Sequence, residues 1–274
     1  MLQVVTDSSC DLPEELIKEN NIRVVPLTIH IEDQLYREGV DISTEEFYDK
    51  MAKSPSLPKT SQPQPAAFAG VFRELADFGE VLCLTISSKL SGTFQSACLG
   101  RELSGVDAFV FDTLAGSLGH GLQVLKACQL AQAGCTAKEI MGELTQYRDK
   151  MKILILLKTL ENIVKGGRLS RFQGSLASIL NIRLLLHNVE GRVELLEKVR
   201  GSRRLFARVL ELIRGYCPDM TGRDVGITHF RNQADTEKIK EALQEQFHPR
   251  RIIINKMGAT MATYAGEGGM IISF

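Results

Sequence analysis

The pattern of apolar and polar positions predicts a chain whose first half alternates strands with helices. Short apolar runs rich in β-branched residues have the character of buried strands, and they lie at positions 2–6, 22–31, 81–86, 108–112 and 153–157. Helical periodicity with capping residues covers positions 45–52, 66–76, 93–103, 118–134 and 137–150. Alternation of this kind predicts an α/β fold in which helices cover both faces of a parallel sheet.

Residues 54–65 interrupt this alternation with four prolines. Each proline drives the residue before it toward an extended conformation, so we expect a stiff loop. The loop carries the adjacent hydroxyls of Thr60 and Ser61. Such hydroxyls are usually solvated turn residues, and ligand binding is the alternative.

After Lys158 the pattern predicts a smaller α+β domain. Apolar runs at 182–187 and 192–199 flank residues 188–191, which favours a four-residue hairpin loop and antiparallel strands. Further helices are expected at 203–216 and 234–247, strands at 224–230, 251–257 and 270–274, and a glycine-rich loop at 258–269. We therefore divide the chain into a parallel-sheet domain, 1–160, and an α+β domain, 161–274.

Charge and composition exclude several classes of partner. Lysine plus arginine and aspartate plus glutamate each number 33, so no net field attracts nucleic acid or an anionic membrane. No apolar run approaches the roughly 20 residues that span a bilayer, and the amino terminus lacks the basic segment of a signal peptide. We expect a cytoplasmic protein without stable membrane insertion. Six scattered cysteines and five histidines without ligand spacing predict reduced thiols, no metal and no cofactor.

The turn Ser91, Gly92, Thr93 is a candidate binding site, because it follows the strand at 81–86 and opens a helix. Ligands of open α/β sheets bind at such places, where free N–H groups of a helix N-terminus favour an anion. Gly92 would let a ligand oxygen approach the backbone, and the two hydroxyls would donate to it. The alternative is that Ser91 simply caps the helix, and the local sequence does not decide between the two.

Two single residues beside glycines are further candidates. Arg168 follows a glycine pair typical of a helix C-cap, which makes it a surface cation; the functional alternative is that this segment forms a flexible lid or a clamp between the domains. Tyr264 lies among the glycines of the 258–269 loop, where a lone tyrosine more often packs than functions.

A group of cations lies where a strand ends and the next helix begins. Arg200 precedes Gly201 at the strand terminus, where an arginine can turn inward and bind a carboxylate or phosphate. Arg203, Arg204 and Arg208 have the pattern of a solvated helix face.

Taken in order, these segments resemble the DegV family of fatty-acid-binding proteins over essentially the whole chain. Six stretches carry the resemblance: residues 6–11 (TDSSCD), 60–63 (TSQP), 87–97 (SSKLSGTFQSA), 166–170 (GGRLS), 198–201 (KVRG) and 263–268 (TYAGEG). Each motif alone is weak, but six in this order are specific.

The resemblance implies a tunnel that encloses an acyl chain, with the carboxyl group near the domain junction. The family's head-group positions map onto Thr60 or Ser61, Ser91 with Thr93, Arg200 and Tyr264. The implied partner is a separate ATP-dependent fatty acid kinase subunit, which phosphorylates the bound fatty acid to an acyl phosphate. This chain is then expected to be a carrier and not an enzyme, and the sequence contains no G-x-x-x-x-G-K-[ST] loop for a nucleotide.

One motif departs from the family pattern. The family's last motif resembles T-H-x-G-P-G, whereas this chain has Tyr264 for the histidine and Glu267 for the proline. A hydroxyl still donates a hydrogen bond, but it does not exchange protons near neutrality as an imidazole does. Glu267 would repel a nearby carboxylate unless it points away. We expect head-group binding to survive and presentation for phosphoryl transfer to be impaired or retuned.

Two other functions stay open at this point. The chain could be a lipid sensor that binds a fatty acid without passing it to a kinase, which Tyr264 favours. It could also be an acyl-transfer enzyme with Ser91 as nucleophile, for which His120 and His229 are the candidate bases. In the carrier hypothesis, Arg203, Arg204 and Arg208 form the face that docks the kinase.

Overall fold

The structure is a computed structural model that describes residues 2–169 and 181–274, so Ser170 of the GGRLS motif lies outside the described residues. Its strands are β1 Gln3–Asp7, β2 Arg23–Val25, β3 Thr28–Ile31, β4 Gln34–Arg37, β5 Lys59–Ser61, β6 Val81–Thr85, β7 Phe109–Asp112, β8 Ile153–Leu157, β9 Ile182–Val189, β10 Arg192–Arg200, β11 Asp224–His229, β12 Arg251–Lys256 and β13 Met270–Ser273. Its helices are α1 Glu14–Glu19, α2 Thr44–Lys53, α3 Pro65–Ala76, α4 Thr93–Ser104, α5 Ser117–Gln132, α6 Ala137–Lys150, α7 Glu161–Lys165, α8 Ser202–Tyr216, α9 Gln233–Phe247 and α10 Ala259–Ala265.

The first sheet has four parallel strands in the order β2-β1-β6-β7. All five residues of β6 are buried, and alternate residues pack in opposite directions. Leu82 and Leu84 join the core that includes α5 and α6. Val81 and Cys83 join a separate core with Phe72 of α3. Helices therefore cover both faces of this sheet, and the predicted α/β fold class is confirmed.

The second sheet has six strands in the order β10-β9-β8-β13-β11-β12. Its neighbours are antiparallel except for the parallel pair β11 and β12, which confirms the predicted antiparallel strands of the second half. Strand β8 belongs to this sheet, so assigning 153–157 to the first half was wrong. The run ILILL is apolar at every position and carries no face pattern that shows which sheet it joins. The boundary near residue 160 stays a prediction, but the second sheet begins before it.

The hairpin of β9 and β10 turns through two residues and not the predicted four. Glu190 and Gly191 have positive φ angles of 48° and 83°, the geometry of a turn whose twist matches that of the strands. Residues 188 and 189 therefore extend β9. The hairpin tip packs on the first half of the chain, because the Ser87 hydroxyl donates to the Gly191 carbonyl at 2.7 Å.

A third sheet of three strands, in the order β4-β3-β5, was not expected from the sequence. The apolar run 22–31 forms two strands, because Pro26 has no N–H with which to continue a ladder. Strand β2 joins the first sheet and β3 the third. Residues 59–61 form the edge strand β5, so the prediction of a loop there was wrong; an edge position tolerates the neighbouring prolines.

The glycine-rich segment 258–269 contains the helix α10, which the sequence analysis missed. Five of its seven residues are buried. A helix that is buried on most sides has no amphipathic period, so the usual signal for a helix is absent.

Asp224, at the first position of β11, is held by two arginines of the β12 segment. It accepts hydrogen bonds from Arg250 Nε at 2.9 Å and from Arg251 Nη2 at 2.7 Å. Burial alone would raise the pKa of Asp224, but the two arginines together outweigh burial and lower it.

We predict that Asp224→Asn lowers the free energy of unfolding by about 1–2 kcal/mol at pH 7, because charge-assisted hydrogen bonds to partly exposed arginines are lost. A depressed carboxyl pKa stabilises the fold above the unfolded-state pKa, and this stabilisation is lost as pH falls through the folded-state pKa. The difference between native chain and variant, measured by urea unfolding, should therefore shrink below about pH 4. The control is Asp107→Asn at an exposed position. An equal loss in the control would contradict the prediction.

Candidate functional site

An apolar cavity lies against one face of the second sheet. The space between its walls, counted together with the open mouth, is about 870 Å³. Alternate residues of β8, Ile153, Ile155 and Leu157, line one wall, with Ile271 of the neighbouring β13. Met261 of α10 also lines the cavity. A surface of this kind suits a hydrocarbon chain.

Polar side chains gather at one end of the cavity; they are Thr60, Gln62, Ser91, Arg168 and Tyr264. The hydroxyls of Thr60 and Tyr264 share a hydrogen bond of 2.6 Å. The Arg168 guanidinium lies 5.1 Å from the centre of the Tyr264 ring. Its Nε donates to the carbonyl of Leu90, next to Ser91, at 3.3 Å. Hydroxyl donors and a cation gathered in this way suit an oxyanion, and we call these five residues the head-group cluster.

Tyr264 occupies its position because Gly166 has no side chain. A Cβ on Gly166 would lie 2.4 Å from Cε1 of the Tyr264 ring. The predicted helix C-cap is also present, since the Arg168 N–H donates to the Ile163 carbonyl at 3.0 Å and Gly167 has a φ angle of 71°. The same turn therefore ends α7, admits the tyrosine ring and directs Arg168 to the cavity.

Ser91 lines the cavity, and it is not the N-cap residue of α4, which is Gly92. Its hydroxyl accepts a hydrogen bond of 3.3 Å from the Thr93 N–H at the start of that helix. Thr93 is fully buried and shares a 2.9 Å hydrogen bond with the same hydroxyl, so it positions Ser91. Gly92 leaves room for Gln62, because a Cβ on Gly92 would lie 2.8 Å from the Gln62 amide nitrogen.

Ser61 and Arg200 lie away from the head-group cluster. Ser61 follows Thr60 on β5, so its side chain points to the opposite face, where its hydroxyl is 2.8 Å from His30 Nε2. Arg200 is exposed at the end of β10. It is seven residues beyond Val193, which lines the cavity, and this corresponds to about 23 Å of strand. The structure corrects the expectation that Arg200 turns inward, because the strand carries it away from the cavity.

The arginines predicted to dock a partner differ in their surroundings. Arg203 and Arg204 are exposed in the first turn of α8, and neither forms an ion pair with another described residue. Arg208 is paired with Glu197 at 2.7 Å and with Glu211 at 3.0 Å. Unpaired positive charge is therefore confined to Arg203 and Arg204 within this set.

Two buried carboxylates hold α10, the helix that carries Tyr264. Asp11 accepts a hydrogen bond of 2.8 Å from the Gly258 N–H. Glu38 accepts hydrogen bonds from the N–H and the hydroxyl of Thr260, at 2.8 and 2.7 Å. Burial raises the pKa of both carboxyl groups, although these hydrogen bonds act in the opposite direction.

Three polar cavity residues were not predicted from the sequence, namely Gln62, Asn188 and Thr260. Gln62 is two positions after Thr60, and strand alternation would have placed both on one face if β5 had been recognised. Thr260 lines the cavity from α10, where glycine-rich composition concealed the helix. Glu267 is exposed and does not line the cavity, so the expected repulsion of a bound carboxylate is avoided.

The histidines considered as bases for Ser91 are engaged elsewhere. His120 is fully buried with Nε2 2.8 Å from Thr6 Oγ1, and burial lowers its pKa. His229 Nδ1 accepts a hydrogen bond of 3.2 Å from the Asn232 N–H. Neither histidine activates Ser91 in this geometry.

Over residues 2–169 and 181–274, no group of histidine, cysteine and acidic side chains is arranged to hold a metal ion. No helix in these ranges has the length and apolar character needed to cross a membrane. All six cysteines are free thiols.

We predict that Gly166→Ala displaces the Tyr264 ring and lowers the free energy of unfolding by about 1–3 kcal/mol, because the added carbon would overlap the ring. The matched control is Gly142→Ala, which has open space within α6 and should raise that free energy by about 0.5–1 kcal/mol. Urea unfolding measures both. If Gly166→Ala lowers the free energy of unfolding by the same amount in a Tyr264→Ala background as in the native chain, overlap with the ring is not the cause of the destabilisation.

Comparison with known proteins identifies the family of this chain. The family model described as an uncharacterised protein of the DegV family matches residues 1–274. A DegV domain-containing protein from Caldanaerobacter subterraneus subsp. tengcongensis is 34% identical over 275 residues, which cover 100% of this chain and 98% of that protein. The fatty-acid-binding DegV family protein from Thermus thermophilus is 32% identical, with a TM-score of 0.91 and coverage of 100% of this chain and 99% of its own. DegV from Bacillus subtilis, a fatty acid binding protein, is 28% identical, with a TM-score of 0.89 and coverage of 99% and 98%. This chain belongs to the DegV family.

Proposed function

We propose that this chain binds a long-chain fatty acid, with the tail in the apolar cavity and the carboxyl group at the head-group cluster. The observation that carries the proposal is the apolar wall along β8, which ends at three hydroxyls and one guanidinium. The related proteins from T. thermophilus and B. subtilis, which share the fold, are fatty-acid-binding proteins.

The tail supplies most of the binding free energy in this arrangement. Burial of about 14 methylenes at about 0.8 kcal/mol each gives a gross gain on the order of 11 kcal/mol. A hydrogen bond to a charged group contributes only about 1.5–3 kcal/mol and must first offset desolvation. The head-group cluster therefore sets the orientation of the ligand more than its affinity.

The head-group cluster offers a carboxylate separate donors. Thr60 and Tyr264 share one hydrogen bond, which uses the proton of one hydroxyl and leaves the other proton for the ligand. Ser91 is held by Thr93 and supplies a second donor. Arg168 lines the same end of the cavity and balances the ligand's charge.

We further propose that the bound acid is presented to a separate ATP-dependent kinase subunit, which forms an acyl phosphate. Support comes from Arg203 and Arg204 on the surface of α8, which have no ion-pair partner in the part of the chain that the structure describes, and from the lack of a phosphate-binding loop in the sequence. We assign the docking face to these two arginines. Arg208 contributes through its ion pairs to the position of α8.

A lipid sensor without kinase turnover is the second candidate function. The observation that favours it is the hydrogen bond between the Thr60 and Tyr264 hydroxyls. With a tyrosine at this position, the head-group cluster contains hydroxyl donors but no imidazole to exchange protons. Binding is common to both candidates, and turnover with a kinase separates them.

We predict that gently purified protein carries a fatty acid detectable by mass spectrometry, and that Ser91→Ala keeps the lipid but weakens its binding roughly 5- to 30-fold. A hydrogen bond to the carboxylate is worth about 1.5–3 kcal/mol, and part of this is offset because the Ser91 hydroxyl no longer has to be desolvated, which leaves a net loss of about 1–2 kcal/mol. The control is Ser88→Ala, an exposed serine of the same loop, which should bind as the native chain does. Complete loss of lipid in Ser91→Ala would contradict the inference that the tail supplies most of the binding free energy.

We also predict that the double variant Arg203→Glu/Arg204→Glu lowers acyl phosphate formation with a kinase subunit and ATP at least tenfold and leaves fatty acid binding unchanged. Reversed charge at the docking face would repel the partner. The control is Arg192→Glu, an exposed arginine on β10. Unchanged turnover in the double variant would refute the docking face.

Turnover seen only after Tyr264→His would favour the sensor for the native chain.

A further inference from the structure

Ser87 organises the turn that carries Ser91. It is fully buried and follows β6 by two residues. Its hydroxyl oxygen accepts a hydrogen bond of 3.1 Å from the Lys89 N–H. Its carbonyl accepts hydrogen bonds of 3.0 and 3.1 Å from the N–H groups of Leu90 and Ser91. One residue thus accepts three consecutive N–H groups, so it fixes the path of the backbone as far as Ser91.

Ser87 also binds this turn to the second half of the chain. Its hydroxyl donates to the carbonyl of Gly191, at the tip of the hairpin of β9 and β10, over 2.7 Å. A hydroxyl has one proton to donate, and Gly191 receives it. Two residues later the same hairpin contributes Val193 to the wall of the cavity. The anchor of the Ser91 turn and part of the cavity wall therefore belong to one hairpin.

The contact between the hairpin tip and the turn leaves little freedom. A Cβ on Gly191 would overlap the Ser87 hydroxyl oxygen, so the two backbones pack closely. Asn188 of the same hairpin lines the cavity and donates to the Leu114 carbonyl at 3.0 Å. Ala115, the next residue, accepts the Ser87 N–H at 2.8 Å. The hairpin thus holds Ser87 both directly and through residues 114 and 115.

We infer that Ser87 is a positioning residue for the head group of the bound acid. Ser87 is not among the described residues that line the cavity, so it acts through Ser91, whose hydroxyl it holds within reach of the carboxylate. Hydrogen bonds between oxygen atoms require a separation of about 2.5–3.0 Å, so a small shift of the turn would remove this donor. This inference rests on the proposed fatty-acid binding and adds a residue that controls carboxylate recognition from outside the cavity.

The variant Ser87→Ala tests the inference with two ligands, a long-chain fatty acid and the primary alcohol of the same length. Without the hydroxyl, the Lys89 N–H and the Gly191 carbonyl lose a partner, and the turn shifts. We expect the acid to bind roughly fivefold more weakly and the alcohol less than twofold, because charge-assisted hydrogen bonds are about twice as strong as neutral ones. The control is Ser88→Ala, an exposed serine whose loss should change neither affinity.

A double-mutant cycle separates positioning from a general structural effect. In a Ser91→Ala background the donor that Ser87 positions is gone, so adding Ser87→Ala should change the affinity for the acid less than twofold. The full loss in that background would overturn the inference, and so would equal losses for acid and alcohol in the single variant. If the native chain binds no fatty acid, the proposed function itself fails.

Gly191→Ala tests the same hydrogen bond from the hairpin side. The added carbon would displace the Ser87 hydroxyl, and we expect the same selective loss of affinity for the acid. Gly191 has a φ angle of 83°, so the alanine also strains the backbone. The matched control is Gly222→Ala, with a φ angle of 78° and open space around it, which should leave both affinities unchanged. A Gly191→Ala protein with a native unfolding transition and native affinity for the acid would overturn the inference.

Discussion

The binding of two buried carboxylates to the first turn of α10 is the constraint on which the site depends. A helix of seven residues is too short to be stable alone, so its position is set by its contacts. Asp11 and Glu38 accept hydrogen bonds from Gly258 and Thr260 at this end, where the helix dipole also favours negative charge. A Cβ on Gly258 would lie 2.7 Å from an oxygen of each carboxylate, so glycine is required for both to approach.

The same carboxylates connect α10 to the loops that bear the rest of the site. Asp11 also accepts from the Ser117 hydroxyl at 2.6 Å, at the start of α5. Its neighbour in the TDSSCD motif, Asp7, accepts from the Ile86 N–H at 2.8 Å, where the Ser91 loop begins. The motif acts as a junction between strand-end loops and α10. This explains how Ser91 and Tyr264, which are far apart in sequence, can line the same cavity.

The parts of the structure that were predictable are those in which a local pattern has one structural solution. The buried, mostly apolar strand at 81–86 and its flanking helices predicted the parallel sheet, and the turn at Ser91 predicted one side of the head-group cluster. The pattern failed at β8, because a strand that is apolar at every position fits either sheet. It failed at α10, because buried small residues show no helical period. Arg200 was misplaced because sequence spacing does not show how far a strand runs from a cavity.

The chemistry of the head-group cluster follows from its donors. The five residues of the cluster offer hydroxyl and guanidinium hydrogen-bond donors and include no imidazole. Arg168 stacks on the Tyr264 ring, and that ring requires the space left by Gly166, so these three residues form one unit. A carboxylate bound by this unit would receive hydrogen bonds from these donors. Any protonation step in later chemistry must then come from a group outside this cluster, which is why the cluster by itself supports binding and orientation, and not acyl transfer.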